Sequence, residues 1–478
     1  MKGLHRFMSV LGSNLSFPRV SRFPRFLFLL STSQLRLSAF SFGACHSLLI
    51  SAAIVFLALA AGRAQTTNSA QPMLTLAQAH EVALRNHPQI SVADLKALAA
   101  RQVVREVRSG FFPNLSLNAV AVGASDPGNT RLEAVGALNS PRVFDRNAEG
   151  LMLSQLITDF GRTANLTGSA RQQAEAAANN AQATRQQILL AVDSTFFSAL
   201  QAQAVVHVAE QTITNRQLFL DQVTALASNR IKSEMDVSFA NVNLDDARLL
   251  LVRAINELQS SFTQLGNLLG QREPANYRLA DEPLPPMLDT NVSDFVQQAL
   301  NSRPDLLSLR NQQAAAIRMA RAERDARFPT ISAVAAAGVA PVHDETLPDN
   351  YAAAGLVANL PIFAGGLYVA RQREAELQAE AARESLRDLE DNVIRDVRVA
   401  WLNAQNAFER YRITGRLVEN ARYSYELAQA RYTQKLSSIV EVNQAELNLI
   451  SAQIDYLNSQ YEYLGQRSAL SYQTGQMR

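Results

Sequence analysis

"REVRSGFFPNLSL" (Arg105–Leu117) and "RAERDARFPTISA" (Arg321–Ala333) are one phrase written twice. Phe112-Pro113 and Phe328-Pro329 stand 328 − 112 = 216 residues apart, and Arg105 and Arg108 return at that spacing as Arg321 and Arg324. Upstream, "ALRNHPQI" from Ala83 returns as "ALNSRPDL" from Ala299, with Pro88 and Pro304 in step. Downstream, Gly161 pairs with Gly366 at 366 − 161 = 205, an offset kept by Val192 and Val397, Asp236 and Glu441, and Gly270 and Gly475. The shortening falls in one turn-rich loop, where deletions are tolerated. The chain is therefore an internal duplication, and the fold has to be argued one unit at a time.

Each unit opens with a short helical stretch, from Thr75 or Val292, followed by a proline-started helix running to about Ser109 or Ala326. Pro113 and Pro329 stop those helices. "NLSLNAVAVG" and "TISAVAAAGV" then alternate like strands, with Leu115, Leu117 and Ala119 on one face and Ser116 and Asn118 on the other. A polar loop and a second weak strand, from Gly150 or Ala354, complete a hairpin over 114–159 and over 330–363. Its arms have the roughly ten-residue length of tilted membrane strands.

Long helices follow. Arg162 to Ser228 holds no proline and one glycine, and its partner runs from about Leu367 to Gln434. Some 67 helical residues span about 100 Å. Such a helix needs a buried stripe, and the stripe repeats every seven residues: Val393, Ala400, Ala407, Thr414, Ala421 and Ala428, with Val397, Ala404, Tyr411, Val418, Tyr425 and Tyr432 four positions on. After turns at Ser228-Asn229 and Gln434-Lys435, shorter helices return, making long helical hairpins over 162–269 and 366–475. The first repeat is expected over 65–283 and the second over 284–478, joined by the proline-rich "PANYRLADEPLPPMLDT".

Residues 1–64 read as a leader: basic flanks, a 14-residue apolar run from Leu48 to Ala61, and small residues before a cut after Ala64. A retained anchor and acylation at Cys45 are the alternatives. Cys45 is the sole cysteine, so the mature chain is expected to hold no disulfide or thiolate site. Beyond Ala64 no uncharged apolar run approaches the length of a membrane helix. A net charge of +2 argues against nucleic acid. His80, His87, His207 and His343 are scattered, and there is no phosphate loop or nucleophile elbow. No enzyme, cofactor or metal site is expected.

Four membrane strands cannot close a barrel, and an open edge is not viable in lipid, so chains must pool strands. Two chains give eight and three give twelve. Phe112, Phe160, Phe328 and Phe363 flank the strands at what would be the helix-side mouth, as an interfacial belt would.

With "RNHPQI", "FFPNLSL", "LPIFAGG" and the long alanine-rich helices in this order, nearly all of the mature chain resembles the TolC-like outer membrane efflux proteins. The resemblance implies a homotrimer with a 12-stranded β-barrel in outer-membrane lipid and a helical barrel crossing the periplasm. A belt from the linker and chain-terminal segments surrounds the helical barrel. The implied role is a passive exit duct, for efflux or type I secretion, served by an inner-membrane transporter and a periplasmic adaptor. It places a periplasmic aperture at the hairpin tips. There Glu441 matches an acidic constriction ring, with Gln444 where a second acid would stand. Asp236, Tyr432 and Ser437 match positions whose bonds between helices hold the aperture closed. Asn229, Arg230, Lys435 and Leu436 match the tips that adaptors contact, although Arg230 and Lys435 stand where the family often has glycine. A periplasmic adaptor and a coiled-coil envelope protein are the rival readings. Neither accounts for two strand hairpins in a whole-length repeat.

Overall fold

The computed structural model describes residues 73–122, 146–272, 277–288, 291–342 and 348–477. The expected leader and cleavage site, Cys45 and His343 lie outside the described residues.

Helices α1 (Leu76–Asn86) and α2 (Pro88–Arg108) lead into strands β2 (Asn114–Val122) and β3 (Arg146–Thr158). Helices α3 (Arg162–Ser228) and α4 (Glu234–Leu268) follow. The second unit repeats the order as α5 (Val292–Ser302), α6 (Pro304–Asp325), β5 (Thr330–Val342), β6 (Asn350–Asn359), α7 (Leu367–Thr433) and α8 (Ile439–Gln473). α3 and α7 are each 67 residues long, and α4 and α8 each 35. Two short strands, β1 (Met73–Leu74) and β4 (Arg278–Leu279), pair in parallel and tie the linker to the start of the first unit.

Local chemistry sets the ends. Pro88 and Pro304 open α2 and α6 at a position where their missing N–H is not needed. Gly161 and Gly366, both at positive φ, turn the chain from strand to long helix. The second strand of each hairpin begins four residues earlier than the alternation suggests, at Arg146 and Asn350. Antiparallel pairing carries it on past the alternating part, with Ala121 opposite Asn147 and Val339 opposite Asn350.

The two hairpins join into one four-stranded sheet, β2-β3-β5-β6, through antiparallel pairing of β3 with β5. Its register stacks Leu115, Leu153, Ala335 and Ala354 in one cross-strand row and Leu117, Leu151, Ala337 and Ala352 in a second row on that face. The other face carries Asn114, Ser154, Ser116, Asn118 and Tyr351. Gly150 and Gly338 lie side by side under the Tyr351 hydroxyl, where a Cβ on either would collide. Leu117 is 75% exposed, so the apolar face has no cover within the chain.

The helices form a row as well. α2 packs on α3, α3 on α6 and α6 on α7. Nearer the tips the order is α4, α3, α8 and α7. The main core lies where α1, β1, β4, α4 and α8 gather on the middle of α3, around Val192, Phe196, Leu200, Leu265 and Leu279. One stretch of α3 is apolar enough by composition to cross a membrane, but half of it is buried against neighbouring elements. The linker and C-terminus wrap this waist: Tyr463 donates to the Pro286 carbonyl at 2.7 Å, and Gln186 to the carbonyls of Gly475 and Met477 at 3.2 and 3.1 Å. Asp193, buried in α3, pairs with His80 of α1.

Candidate functional site at the hairpin tips

Both long helices end in the same way. Arg230 and Lys435 adopt left-handed backbone, with φ of 57° and 62°. Ile231 N–H then reaches back to Leu226 C=O, and Leu436 N–H to Arg431 C=O, each at 2.9 Å. These are the six-to-one bonds of a Schellman turn, which usually has glycine at the left-handed residue. The two departures from glycine therefore leave the turn intact, at a strain of about 1–2 kcal/mol each.

The return helices start on Ser233 and Ser438, whose hydroxyls accept the N–H of Asp236 at 3.2 Å and of Glu441 at 3.4 Å. These two acids are equivalent in the repeat and sit where the positive end of a helix dipole favours an anion. They use their carboxylates differently. Asp236 completes a capping box by accepting the Ser233 N–H at 3.2 Å. Glu441 turns instead to Arg431, at 3.3 Å. Gln444 donates to Asn448 at 3.1 Å along its own helix.

Tyr432 joins the two hairpins. Its buried ring sits 5.9 Å from that of Phe219 on α3, and the Lys232 ammonium of the first tip lies 3.6 Å from its centroid. Burial, and then the Asp236 charge, push the Tyr432 hydroxyl above the ordinary tyrosine pKa. That hydroxyl is buried without a hydrogen-bond partner among the described residues. Ser437 donates to the Ala428 carbonyl at 3.4 Å within the second hairpin. The contacts that Tyr432 makes across the hairpins are thus aromatic and cation–π, and Asp236 and Ser437 bond within their own hairpins.

A second junction was missed in the sequence. Arg216 of α3 lies 3.3 Å from Glu446 of α8, with side chains only 5% and 14% exposed. Arg216 also donates to the Asn243 carbonyl of α4. Burial raises the Glu446 pKa, and Arg216 only partly opposes it. The signal was there: Arg216 occupies the heptad row of Ile188, Ala202, Ala209 and Val223, opposite Ala421 of the other unit at 421 − 216 = 205. A charge in an alanine row needs a buried partner.

The four phenylalanines lie where strands meet helices. Phe160 and Phe328 pack at 5.7 Å between ring centroids, and the Arg108 guanidinium stands 5.8 Å from the Phe112 centroid. Phe363 differs from expectation. It does not end a strand, because β6 stops at Asn359; proline at 361 follows and cannot donate to a strand ladder. With Ile362 it stands bare on the connecting segment, at 89% and 91% exposure. Among the described residues no cluster of acidic, histidine or cysteine side chains could hold a metal ion.

The sequence matches the outer membrane efflux protein family over residues 80–271 and 295–476, one stretch in each repeat. It is 25% identical over 390 residues to the solvent efflux pump outer membrane protein SrpC of Pseudomonas putida, covering 80% of this chain and 81% of that one. It is 24% identical over 408 residues to the outer membrane protein TolC of Escherichia coli, covering 81% and 80%. The alkaline protease secretion protein AprF of Pseudomonas aeruginosa is 24% identical, with 84% of each chain covered. Among solved structures, a membrane protein from Pseudomonas aeruginosa matches with a TM-score of 0.72 at 21% identity, covering 84% of this chain and 90% of that one. The outer membrane protein VceC of Vibrio cholerae matches at 0.68 and 19%, covering 84% and 96%. The family is one of channels and not of enzymes. Duplicated helix-and-strand units, open rows and paired tips make this chain a TolC-like outer-membrane channel protein, and it belongs to the outer membrane efflux protein family.

Proposed function

We infer that three copies of this chain form a continuous duct from the periplasm through the outer membrane, passively conducting what an inner-membrane pump and a periplasmic adaptor deliver, in efflux or type I secretion. One observation carries the reading. The strand row β2-β3-β5-β6 and the helix row α2-α3-α6-α7 run in the same order and are open at the same two ends. Copying the chain around an axis joins β6 to the next β2 and α7 to the next α2, so both barrels close together. Unpaired strand edges are not tolerated in lipid, which makes the closure obligatory. The bare flank of α4 carries Phe239, Val242, Leu249 and Val252, successively three, seven and three residues apart, as a helix awaiting a partner would. The Leu115 and Leu117 face of the sheet meets lipid, and the Asn114, Ser116 and Asn118 face lines the lumen. The duct needs no catalytic group; transport energy comes from the pump.

Within that duct the tips form the aperture. Glu441 from each copy supplies a carboxylate to the constriction, partly offset by its own Arg431, with Gln444 just behind. Tyr432 and the Arg216–Glu446 pair hold the second hairpin against the first, with Asp236 and Ser437 stiffening the turns. Asn229, Arg230, Lys435 and Leu436 face the adaptor. Phe112, Phe160, Phe328 and Phe363 sit at the membrane interface. Electron microscopy of the detergent-purified protein tests the reading: a three-fold particle with a tube of about 100 Å is expected, and a monomeric particle would sink it. In bilayer recordings Glu441→Ala should lower cation selectivity; unchanged selectivity removes Glu441 from the constriction.

A further inference from the structure

Arg105 of the repeated phrase is left over by the duct, as are Arg101 and Arg171. Arg101 and Arg105 of α2 and Arg171 of α3 line a cavity of about 460 Å³ between the two helices, with Glu175 as the one acid. None of the three arginines has an ion-pair partner among the described residues; Arg105 only reaches Gln102, at 3.2 Å. A second cavity of about 310 Å³ shares Arg171 and Gln172 and adds Arg318, Thr167 and Phe111. Thr167 is 5% exposed, and its hydroxyl is buried without a partner. Gly168 lets Arg318 lie close: a Cβ there would stand 2.8 Å from Arg318 Cδ.

This basic lining does not follow from the duplication. At the equivalent positions the second unit has Ile317, Arg321 and Glu376, so only the first unit gathers the uncompensated guanidinium groups. Groups of like charge repel, and a set held around one cavity calls for an anion. Arginines present forked donors that match a phosphate.

Position selects the source of that phosphate. Arg105 is in the last turn of α2, and Arg101 lies within about 10 Å of the helix end. Phe111, 42% exposed, stands three residues before the first membrane strand and gives the second cavity, which shares Arg171 with the first, an apolar side. A free phosphate has no use for that side, whereas a lipid does. Basic pockets between helices at a membrane surface suit anionic headgroups, and arginine stems can stretch toward the interface. We propose that the groove between α2 and α3 binds the phosphate of an anionic phospholipid from the periplasmic leaflet, one per chain. This rests on the duct reading for the level of the membrane, but the groove itself lies within one chain.

Native mass spectrometry of the full-length protein, extracted in detergent and mixed with phosphatidylglycerol or phosphatidylcholine, tests it. One phosphatidylglycerol per chain should be retained, and phosphatidylcholine should not. Retention should fall by about tenfold for each arginine removed in Arg101→Gln, Arg105→Gln and Arg171→Gln. If the triple variant does not fold, Arg105→Gln alone, on an exposed side chain, gives the same reading. Gly168→Ala, which displaces Arg318, should also weaken retention. No lipid retained, equal retention of phosphatidylcholine, or retention unaffected by the arginine variants would overturn the proposal. Displacement by inorganic phosphate at equal concentration would overturn the choice of a lipid. The same spectra separate the two claims: trimers without lipid end this inference, and monomers that retain phosphatidylglycerol uphold it while ending the duct.

Discussion

The two repeats match in the lengths of their long and return helices and differ in what surrounds them. α3 and α7 each have 67 residues, yet α3 buries twenty of them and α7 nine. The cause is position. α3 is interior, held by α1, α2, α4, α6 and α8, whereas α7 ends both helix rows. A duplicated sequence thus makes two equivalent helices and places them unequally, one packed by its own chain and one left for a neighbour. The same contrast recurs at smaller scale. Arg216 fills with charge a row that Ala421 fills with a methyl, and Asp236 caps its helix where Glu441 meets Arg431.

The largest expected effect comes from charging the flank left for a neighbour. Val242→Asp with Val252→Asp should abolish the trimer while sparing the monomer, read by size-exclusion chromatography with light scattering. A trimer that survives would show that α4 faces solvent. Next is the buried pair. Glu446→Leu removes both the charge and the acceptor oxygens that face buried Arg216, where protonation removes only the charge, and should cost about 3–5 kcal/mol. Adding Arg216→Met should restore stability, or exceed that of the parent by about 1–4 kcal/mol. Thermal unfolding of the parent, the single and the double variant reads this, and a double variant no better than the single would mean that the charges are not coupled.

Smaller still are the tips. Arg230→Gly and Lys435→Gly should each stabilise the turns by about 1 kcal/mol or less, the strain relieved at positive φ being partly offset by the entropy that glycine loses on folding. A loss of stability from either would show that the side chain, rather than the turn, matters there.

The pH dependence should divide the two units. Burial lowers the pKa of His87, whose Nδ1 accepts the Gln89 N–H at 3.3 Å as it caps α2. The unfolded chain binds that proton more readily, so stability should fall as pH drops through the ordinary histidine value, about 6.5, toward the folded one. Arg303 holds the equivalent place before α6 without a side-chain cap, so that helix should show no such step. His87→Ser, which keeps a cap, should flatten the profile. Glu446 has the opposite sign. Its raised pKa means that the folded state takes up the proton first. Stability should therefore rise as pH falls from the folded pKa toward the ordinary carboxylate value. Glu446→Gln should remove that slope.

Much of the fold was legible along the chain. The long helices were, because Arg162 to Ser228 has no proline and the alanine rows keep a seven-residue period. The hairpin faces were, because odd-numbered residues from 115 and from 331 alternate against polar ones, and the register keeps Leu115 and Ala335 in one row. The site was less so. Turns at Arg230 and Lys435 look wrong by residue type, and only the backbone shows that they are the glycine turn without glycine. Phe363 was misplaced because a weak strand next to a proline has no sharp end.

What the sequence by itself determined was periodic and local: the duplication, the lengths of the helices, the caps at Ser233 and Ser438 and the alternation of the strands. These depend on neighbours a few residues away. What only the tertiary structure decided was which equivalents part company: Arg216 finding Glu446 some 230 residues on, Glu441 finding Arg431, and three arginines gathering around a cavity in one unit and not in the other. Pairing between distant segments depends on which helices become neighbours in space, and that follows from how the helices pack into rows within the chain rather than from any one stretch of it.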